Sequence, residues 1–321
     1  MTSAPSLLEF EHGITAIDTD YVRPFLDASH LIVRSGRAAF VDTGTTYSVP
    51  NLLAALERKG IKRDAVDYVL LTHVHLDHAG GAGELMRHLP AAKALVHPRG
   101  AGHLVDPAKL IAGTKAVYGA TEFARLYGEI PPIPAERVIS VDDGMRVRLG
   151  GSELQFIHTP GHALHHYCVV DPDSRSVFTG DTFGISYRIF DSARGPFIFP
   201  ATTPVHFDPQ QAHASLDRIM SFRPEACFLT HYSRVTDLQR LAADMHRSLD
   251  KLVEIAETSV AEEDRIGSMK HRMHAWLTQR VREHGCSLDQ ASVDSWLEMD
   301  VDLNAKGLAV WLDRTQSQRL H

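Results

Sequence analysis

The chain has only three cysteines among 321 residues, Cys168, Cys227 and Cys286, an odd and scattered set. That argues against a disulfide framework and for a reducing compartment, so a cytoplasmic location is expected. No apolar run approaches the roughly 20 residues of a membrane helix. Residues 1–10 lack a basic stretch followed by an apolar one, so neither a membrane partner nor a signal peptide is expected. A basic excess is missing too. Lys and Arg number 33 against 40 Asp and Glu, a net charge of −7, which gives nucleic acid no electrostatic footprint. There is no internal repeat and no low-complexity segment. Cys168 and Cys227 lie inside apolar runs and read as core residues. What the chain does have in abundance is histidine, 20 in all, placed in patterns.

From residue 14 to about 236, short β-like runs alternate with helix-like stretches. Strands are expected at 31–33, 38–41, 68–71, 95–97, 138–140, 146–149, 154–158, 167–170, 176–179 and 227–230. Helices are expected at 49–59, stopped by Gly60, and at 209–222, stopped before Pro224. The mixture indicates an α/β fold. Beyond residue 237 the strand signals cease and four helices are expected, at 238–259, 261–283, 288–299 and 304–314. The chain therefore divides into a catalytic domain over 1–236 and a helical region over 237–321. That region reads first as cover for apolar surface and second as a participant in substrate choice.

The strongest pattern is Thr72-His73-Val74-His75-Leu76-Asp77-His78, directly after the apolar run 69–71. In extended backbone, side chains two residues apart point the same way, so His73 and His75 can meet one cation. A turn into helix then swings Asp77 and His78 to a neighbouring point. Imidazole and carboxylate suit zinc, iron, manganese or cobalt, and the absence of a nearby cysteine disfavours a closed structural zinc site. Further donors must come from later strand ends. His158-Thr159-Pro160-Gly161-His162, Thr179-Gly180-Asp181 and Thr230-His231 each place a His or Asp where a strand stops.

These motifs, in this order and with Asp42-Thr43-Gly44 upstream, resemble the metallo-β-lactamase superfamily over roughly residues 14–236. The resemblance implies a four-layer αββα metallo-β-lactamase sandwich with a C-terminal helical extension. It implies that His73, His75 and His162 bind one divalent metal, that Asp77, His78 and His231 bind a second, and that Asp181 bridges them. Zinc is the first expectation, with iron or manganese as alternatives. His162 is selected over His158, His165 and His166 by the same pattern. Asp42 corresponds to the aspartate that braces the metal loop, the alternative being a turn-forming residue.

Two adjacent cations lower the pKa of a shared water towards neutrality, which supplies a nucleophile without a serine or cysteine. Asp77 or Asp181 is expected to pass the proton to the leaving group. The expected function is hydrolysis of a small ester, thioester or lactone. The alternatives are a metal-binding interaction protein with vestigial hydrolysis and a mononuclear iron persulfide dioxygenase. His75 stands where redox-active flavodiiron relatives carry Glu, which favours hydrolysis. Residues 179–183 resemble the hydroxyacylglutathione hydrolases, but their basic glutathione-binding segment is not found. Gly184 stands where quorum-quenching lactonases commonly carry Tyr. The aromatic loop 183–207, with Phe183, Tyr187, Arg188 and Pro204, and the long segment 98–134 are the candidate substrate elements. The partner is expected to be a small molecule, with a homodimer left open.

Overall fold

A computed structural model describes residues 5–203 and 205–319. Pro204 and the first four residues, which carry part of the loop and leader readings, lie outside them. The chain forms two compact units. The first comprises Met1–His158, His165–Gly180 and Pro224–Arg234; the second comprises Thr159–Leu164, Asp181–Arg223 and Val235–His321.

The first unit is built on two mixed sheets. One runs in chain order through β1 (Leu7–Phe10), β2 (Ile14–Asp18), β3 (Ala28–Arg34), β4 (Arg37–Val41), β5 (Val66–Leu71), β6 (Lys93–Val96) and β7 (Val138–Ser140). It is antiparallel up to β4 and parallel from there on. The other contains β8 (Arg146–Leu149), β9 (Ser152–His158), β10 (Tyr167–Asp171), β11 (Ser176–Gly180), β12 (Ala226–Leu229) and β13 (Ser233–Val235) in the order β13-β12-β11-β10-β9-β8. Strands β1, β2 and β13 were not expected from the sequence. They carry no unbroken apolar run: β1 and β13 are sheet edges, and β2, buried at every position, includes Thr15 and Asp18.

The apolar runs of β3 to β6 are continuous because both faces are covered. Leu31, Phe40, Val69, Leu71, Ala94 and Val96 pack among residues of α1 (Val49–Arg58) and the later helix Ala82–His88. The alternate residues Ile32, Ala39, Val41, Leu70 and Leu95 pack against Leu154, Phe156, Tyr167, Val169, Phe178 and Phe228 of the other sheet. Full burial of each large apolar side chain contributes about 1.5–3 kcal/mol. Between β5 and β6 lie α2 (Leu76–Ala79) and α3 (Ala82–His88); between β6 and β7 lie α4 (Pro98–Val105), α5 (Ala108–Tyr118) and α6 (Ala120–Tyr127). The last three fill the long segment 98–134, and α5 buries none of its residues. Cys168 and Cys227 are fully buried.

The second unit contains α7 (Pro209–Ser221), α8 (Leu238–Thr258), α9 (Arg265–Glu283) and α10 (Gln290–Arg319). The C-terminal region thus holds three helices, not the four expected, because the last two are one 30-residue helix. Asp and Asn favour helix ends, yet Asp300, Asp302 and Asn304 sit mid-helix with their side chains satisfied elsewhere. Tyr187 donates its hydroxyl to Asp300 at 3.1 Å, Lys306 pairs with Asp302 at 2.7 Å, and Asn304 bonds the backbone at Pro200 and Thr202. Helices α7 and α8 are clasped by His213 and His246, whose Nδ1 atoms meet at 2.6 Å. Their Nε2 atoms face Asp250 and Asp217 at 3.2 and 3.3 Å. Among the described residues no helix is long and apolar enough to cross a membrane.

Candidate metal centre

Strand β5 is buried to its end and delivers the chain into an extended stretch, His75 having φ −61° and ψ 146°. His73 and His75 therefore point to one side, and His73 Nε2 lies 2.9 Å from His75 Nδ1. One helical turn, α2, follows at once, with the His78 and Ala79 amides donating to the His75 carbonyl. That turn carries Asp77 and His78 to a second point, where His231, just past β12, joins them. Asp77, His78 and His231 each offer a ligand atom within 4.8 Å of the others. Asp77 Oδ2 is 3.9 Å from His78 Nε2 and 3.6 Å from His231 Nε2.

Asp42 holds this half-site from beneath. It follows β4 with φ +56° and is 1% exposed. Its carboxylate accepts from the Thr72 amide at 2.8 Å, the Thr72 hydroxyl at 2.8 Å, the Thr230 hydroxyl at 2.8 Å and His78 Nδ1 at 2.8 Å. One side chain thus ties together the starts of the first and last histidine motifs. Thr43 adds amide and hydroxyl bonds to the His78 carbonyl. Neither threonine had been singled out in the sequence. The signal was there: Thr72-His73 and Thr230-His231 are the same pair at two strand ends.

The second unit carries the other two motif residues. His162 Nδ1 donates to the Ala201 carbonyl at 3.1 Å, and its Nε2 lies 3.4 Å from Asp181 Oδ2. His158, one of its competitors in the sequence, is on β9, with Nε2 against the Val141 carbonyl at 2.8 Å. His165 and His166 stack their rings on His73 at centroid distances of 6.2 and 5.0 Å.

The donor chemistry suits a divalent ion. Ligand bonds of about 2.0–2.1 Å in a tetrahedron put donors roughly 3.3 Å apart, and the separations within each unit run from 2.9 to 3.9 Å. The far nitrogens are committed: His73 Nδ1 to Thr72, His78 Nδ1 to Asp42, His162 Nδ1 to Ala201 and His231 Nδ1 to the Leu26 carbonyl. Such bonds set the tautomer and aim the other nitrogen at a metal. Asp27, absent from every motif, lies fully buried nearby. Burial pushes its carboxyl up to about 8, against His231 and His78, which pull it down, and with Asp77 and Asp42, which raise it further.

Phe183 and Tyr187 are buried, at 0% and 1% exposure. The Tyr187 hydroxyl bonds Asp300, and Arg188 donates to the Ser186 carbonyl from Nε at 3.1 Å and from Nη2 at 2.6 Å. Tyr187 thus ties its loop to α10, and Arg188 ties it to its own backbone. Gly184 has φ +92°, and a Cβ there would fall 2.5 Å from Met245 Sδ and 2.7 Å from the Phe199 carbonyl oxygen. The side chain of α8 occupies the space that a residue larger than glycine would need.

A family model described as the metallo-beta-lactamase superfamily matches residues 23–231. Among curated proteins, the metallo-beta-lactamase fold-containing protein ST1585 of Sulfurisphaera tokodaii is 31% identical over 172 residues, 52% of this chain and 61% of its own length. A hydroxyacylglutathione hydrolase of Aeromonas hydrophila is 28% identical over 207 residues, 64% of this chain and 58% of its own. The chain therefore spans less than two thirds of either relative. Among solved structures, the archaeal superfamily protein ST1585 from Sulfolobus tokodaii superposes with a TM-score of 0.66 at 23% identity, covering 92% of this chain and 98% of that one. The shared fold is the α/β sandwich with C-terminal helices.

Proposed function

Because the chain belongs to the metallo-β-lactamase superfamily, we propose that its motif residues hold two divalent ions and that it hydrolyses a small ester, thioester or lactone. His73, His75 and His162 would hold one ion, Asp77, His78 and His231 the other, with Asp181 available to either. Divalent ions there would supply an acidified water and a Lewis acid for the scissile carbonyl. The chain's own part is to fix the donors and move the proton. The Asp77 side chain is 24% exposed against 6% for Asp181. Asp77 is thus the carboxylate with solvent access, suited to take a proton and deliver it to the leaving group.

The observation that carries this reading is the placement of Asp77 Oδ2 between His78 Nε2 and His231 Nε2, with both far nitrogens already bonded. The thioester arm draws support from several hydroxyacylglutathione hydrolases at 28–32% identity. Metal analysis combined with a panel of thioesters, lactones and phosphodiesters tests it. Two metals per chain and turnover of a thioester or lactone, lost in His231→Ala, is the expected result. Two metals without turnover on any member favours the interaction role, and one iron with oxygen uptake on persulfides favours the dioxygenase.

A further inference from the structure

Helices α7 and α8 each carry the pentad His-x-Ser-Leu-Asp, as His213 to Asp217 and as His246 to Asp250. Burial repeats along with the residues: in both, the serine and leucine are buried, the histidine is half-buried and the aspartate is exposed. Residues four apart share a helix face, so each helix presents one imidazole beside one carboxylate. The two faces meet reciprocally. His213 Nδ1 lies 2.6 Å from His246 Nδ1, while His213 Nε2 faces Asp250 Oδ1 at 3.2 Å and His246 Nε2 faces Asp217 Oδ1 at 3.3 Å. The ring planes are 6° from parallel and the centroids 4.9 Å apart. That is about one ring width more than the nitrogen separation, so the two Nδ1 atoms face each other along the line joining the rings. Two imidazole lone pairs at this distance repel unless a positive centre lies between them. A single proton, shared as an N–H···N bond, meets that need.

We propose that His213 and His246 form a metal site separate from the motif residues, which takes one divalent ion of the zinc, copper, nickel or cobalt class in place of that proton. An imidazole that ligates a metal almost always gives its other ring N–H to a carboxylate, a backbone carbonyl or water. Here both rings face a carboxylate, each the aspartate of the opposite helix. Nitrogen donors select such ions over magnesium and calcium, which take oxygen ligands. Metal–nitrogen bonds of about 2.0–2.1 Å set tetrahedral donors roughly 3.3 Å apart, so the Nδ1 atoms need to part by less than an ångström. The histidine side chains are 29% and 31% exposed, which gives the rings room to turn and the ion a path from solvent. The displaced proton leaves to solvent, and water completes the coordination sphere. The ion ties α7 to α8, so the stability of the second unit rises with free metal. None of this depends on hydrolysis.

The test uses the full chain, loaded with zinc and then dialysed against buffered micromolar free zinc, with bound zinc counted by elemental analysis. The native protein is expected to hold one zinc more than His213→Gln or His246→Gln. Because the count is a difference, it is independent of how many ions the motif residues hold. Long-range 15N correlations give a second readout on the unaltered chain, where zinc is expected to shift the Nδ1 resonances of His213 and His246 together and magnesium to shift neither. Should a Gln variant fail to fold, the ring nitrogens decide alone. Asp250→Asn keeps both histidines and removes one orienting carboxylate, and is expected to weaken the additional zinc about 10–100-fold. Equal zinc counts in the native protein and the Gln variants overturn the site. So do ring nitrogens that stay put, or that move in only one of the two histidines, which marks an adventitious surface contact.

Discussion

Replacing Asp42 by Asn changes almost no volume and removes one charge, so it isolates what the carboxylate does. In the native protein Asp42 accepts four hydrogen bonds of 2.8 Å, from the Thr72 amide and hydroxyl, the Thr230 hydroxyl and His78 Nδ1. An Asn side chain keeps one acceptor oxygen and turns two N–H bonds on its neighbours. If its oxygen stays on the Thr72 amide, its nitrogen faces His78 Nδ1. Two donors cannot share that contact, so His78 must move its proton to Nε2, the atom beside Asp77. Hydroxyls can rotate away; an imidazole can only change tautomer. Losing one charge-assisted bond costs about 1.5–3 kcal/mol of stability. Loss of the bond that orients a metal-bound imidazole lowers affinity about 10–100-fold, equivalent to about 1.4–2.8 kcal/mol. Competition with a chromophoric chelator is the assay, with metal stoichiometry by mass spectrometry and the His78 tautomer by long-range 15N correlation. Asp42→Asn is expected to weaken the ion at Asp77, His78 and His231 and to shift the His78 proton to Nε2. An Asp42→Asn protein that folds, keeps two ions at native affinity and leaves His78 protonated at Nδ1 refutes the reasoning.

Other perturbations follow from the same contacts. Asp27 has its pKa raised by burial to about 8. Between about pH 4 and 8 the metal-free folded state therefore binds one proton more than the unfolded chain, and its stability falls as pH rises, by about 1.4 kcal/mol per unit. Asp27→Asn is expected to remove that slope, read from urea unfolding of chelator-treated protein at pH 6 and 8; equal slopes count against it. His30, fully buried between Phe178 and Phe228, has its pKa lowered to about 3 by desolvation. The stability of its neutral form is present above pH 6.5 and lost as pH falls from there towards 3, so His30→Leu should reduce acid sensitivity in the same titration. Asn304→Ala frees the Pro200–Thr202 segment that carries the Ala201 carbonyl. It is expected to cost about 1–3 kcal/mol of stability and to weaken metal binding through His162, whereas Asn304→Ala with native metal affinity confines Asn304 to a packing role.

Much of this was readable in the sequence because a strand makes short-range geometry predictable. The alternation of extended backbone puts His73 and His75 on one side, and a single helical turn moves Asp77 and His78 to the next point. Ten of the thirteen strands announced themselves, the central ones by apolar runs that two covered faces require. Elements whose reason lies far away in the chain were hidden. Strands β1 and β13 lie at sheet edges and β2 buries Thr15 and Asp18, so none of the three carries an unbroken apolar run. The continuity of α10 depends on partners at Tyr187, Lys306, Pro200 and Thr202 that satisfy residues otherwise typical of helix ends.

The same distinction separates the donors from their supports. A metal donor must be His, Asp or another residue of a small set, and here the donors cluster at or just after strand ends, so they can be recognised by type and place together. A support needs only one well-aimed oxygen or nitrogen. Thr72, Thr230 and Asn304 use a hydroxyl or an amide, and Leu26 and Ala201 use the backbone carbonyl that every residue has. Their identity is therefore weakly constrained, while their position is strongly constrained. Thr72→Ser, which keeps the hydroxyl, should preserve the His78 tautomer. Thr72→Val, which keeps the shape, leaves an Asp42 oxygen with one donor fewer and should weaken metal binding in the same assay as Asp42→Asn. If serine and valine prove equivalent there, the hydroxyl is not what orients the loop, and the role of Asp42 reduces to its bonds with the Thr72 amide and His78.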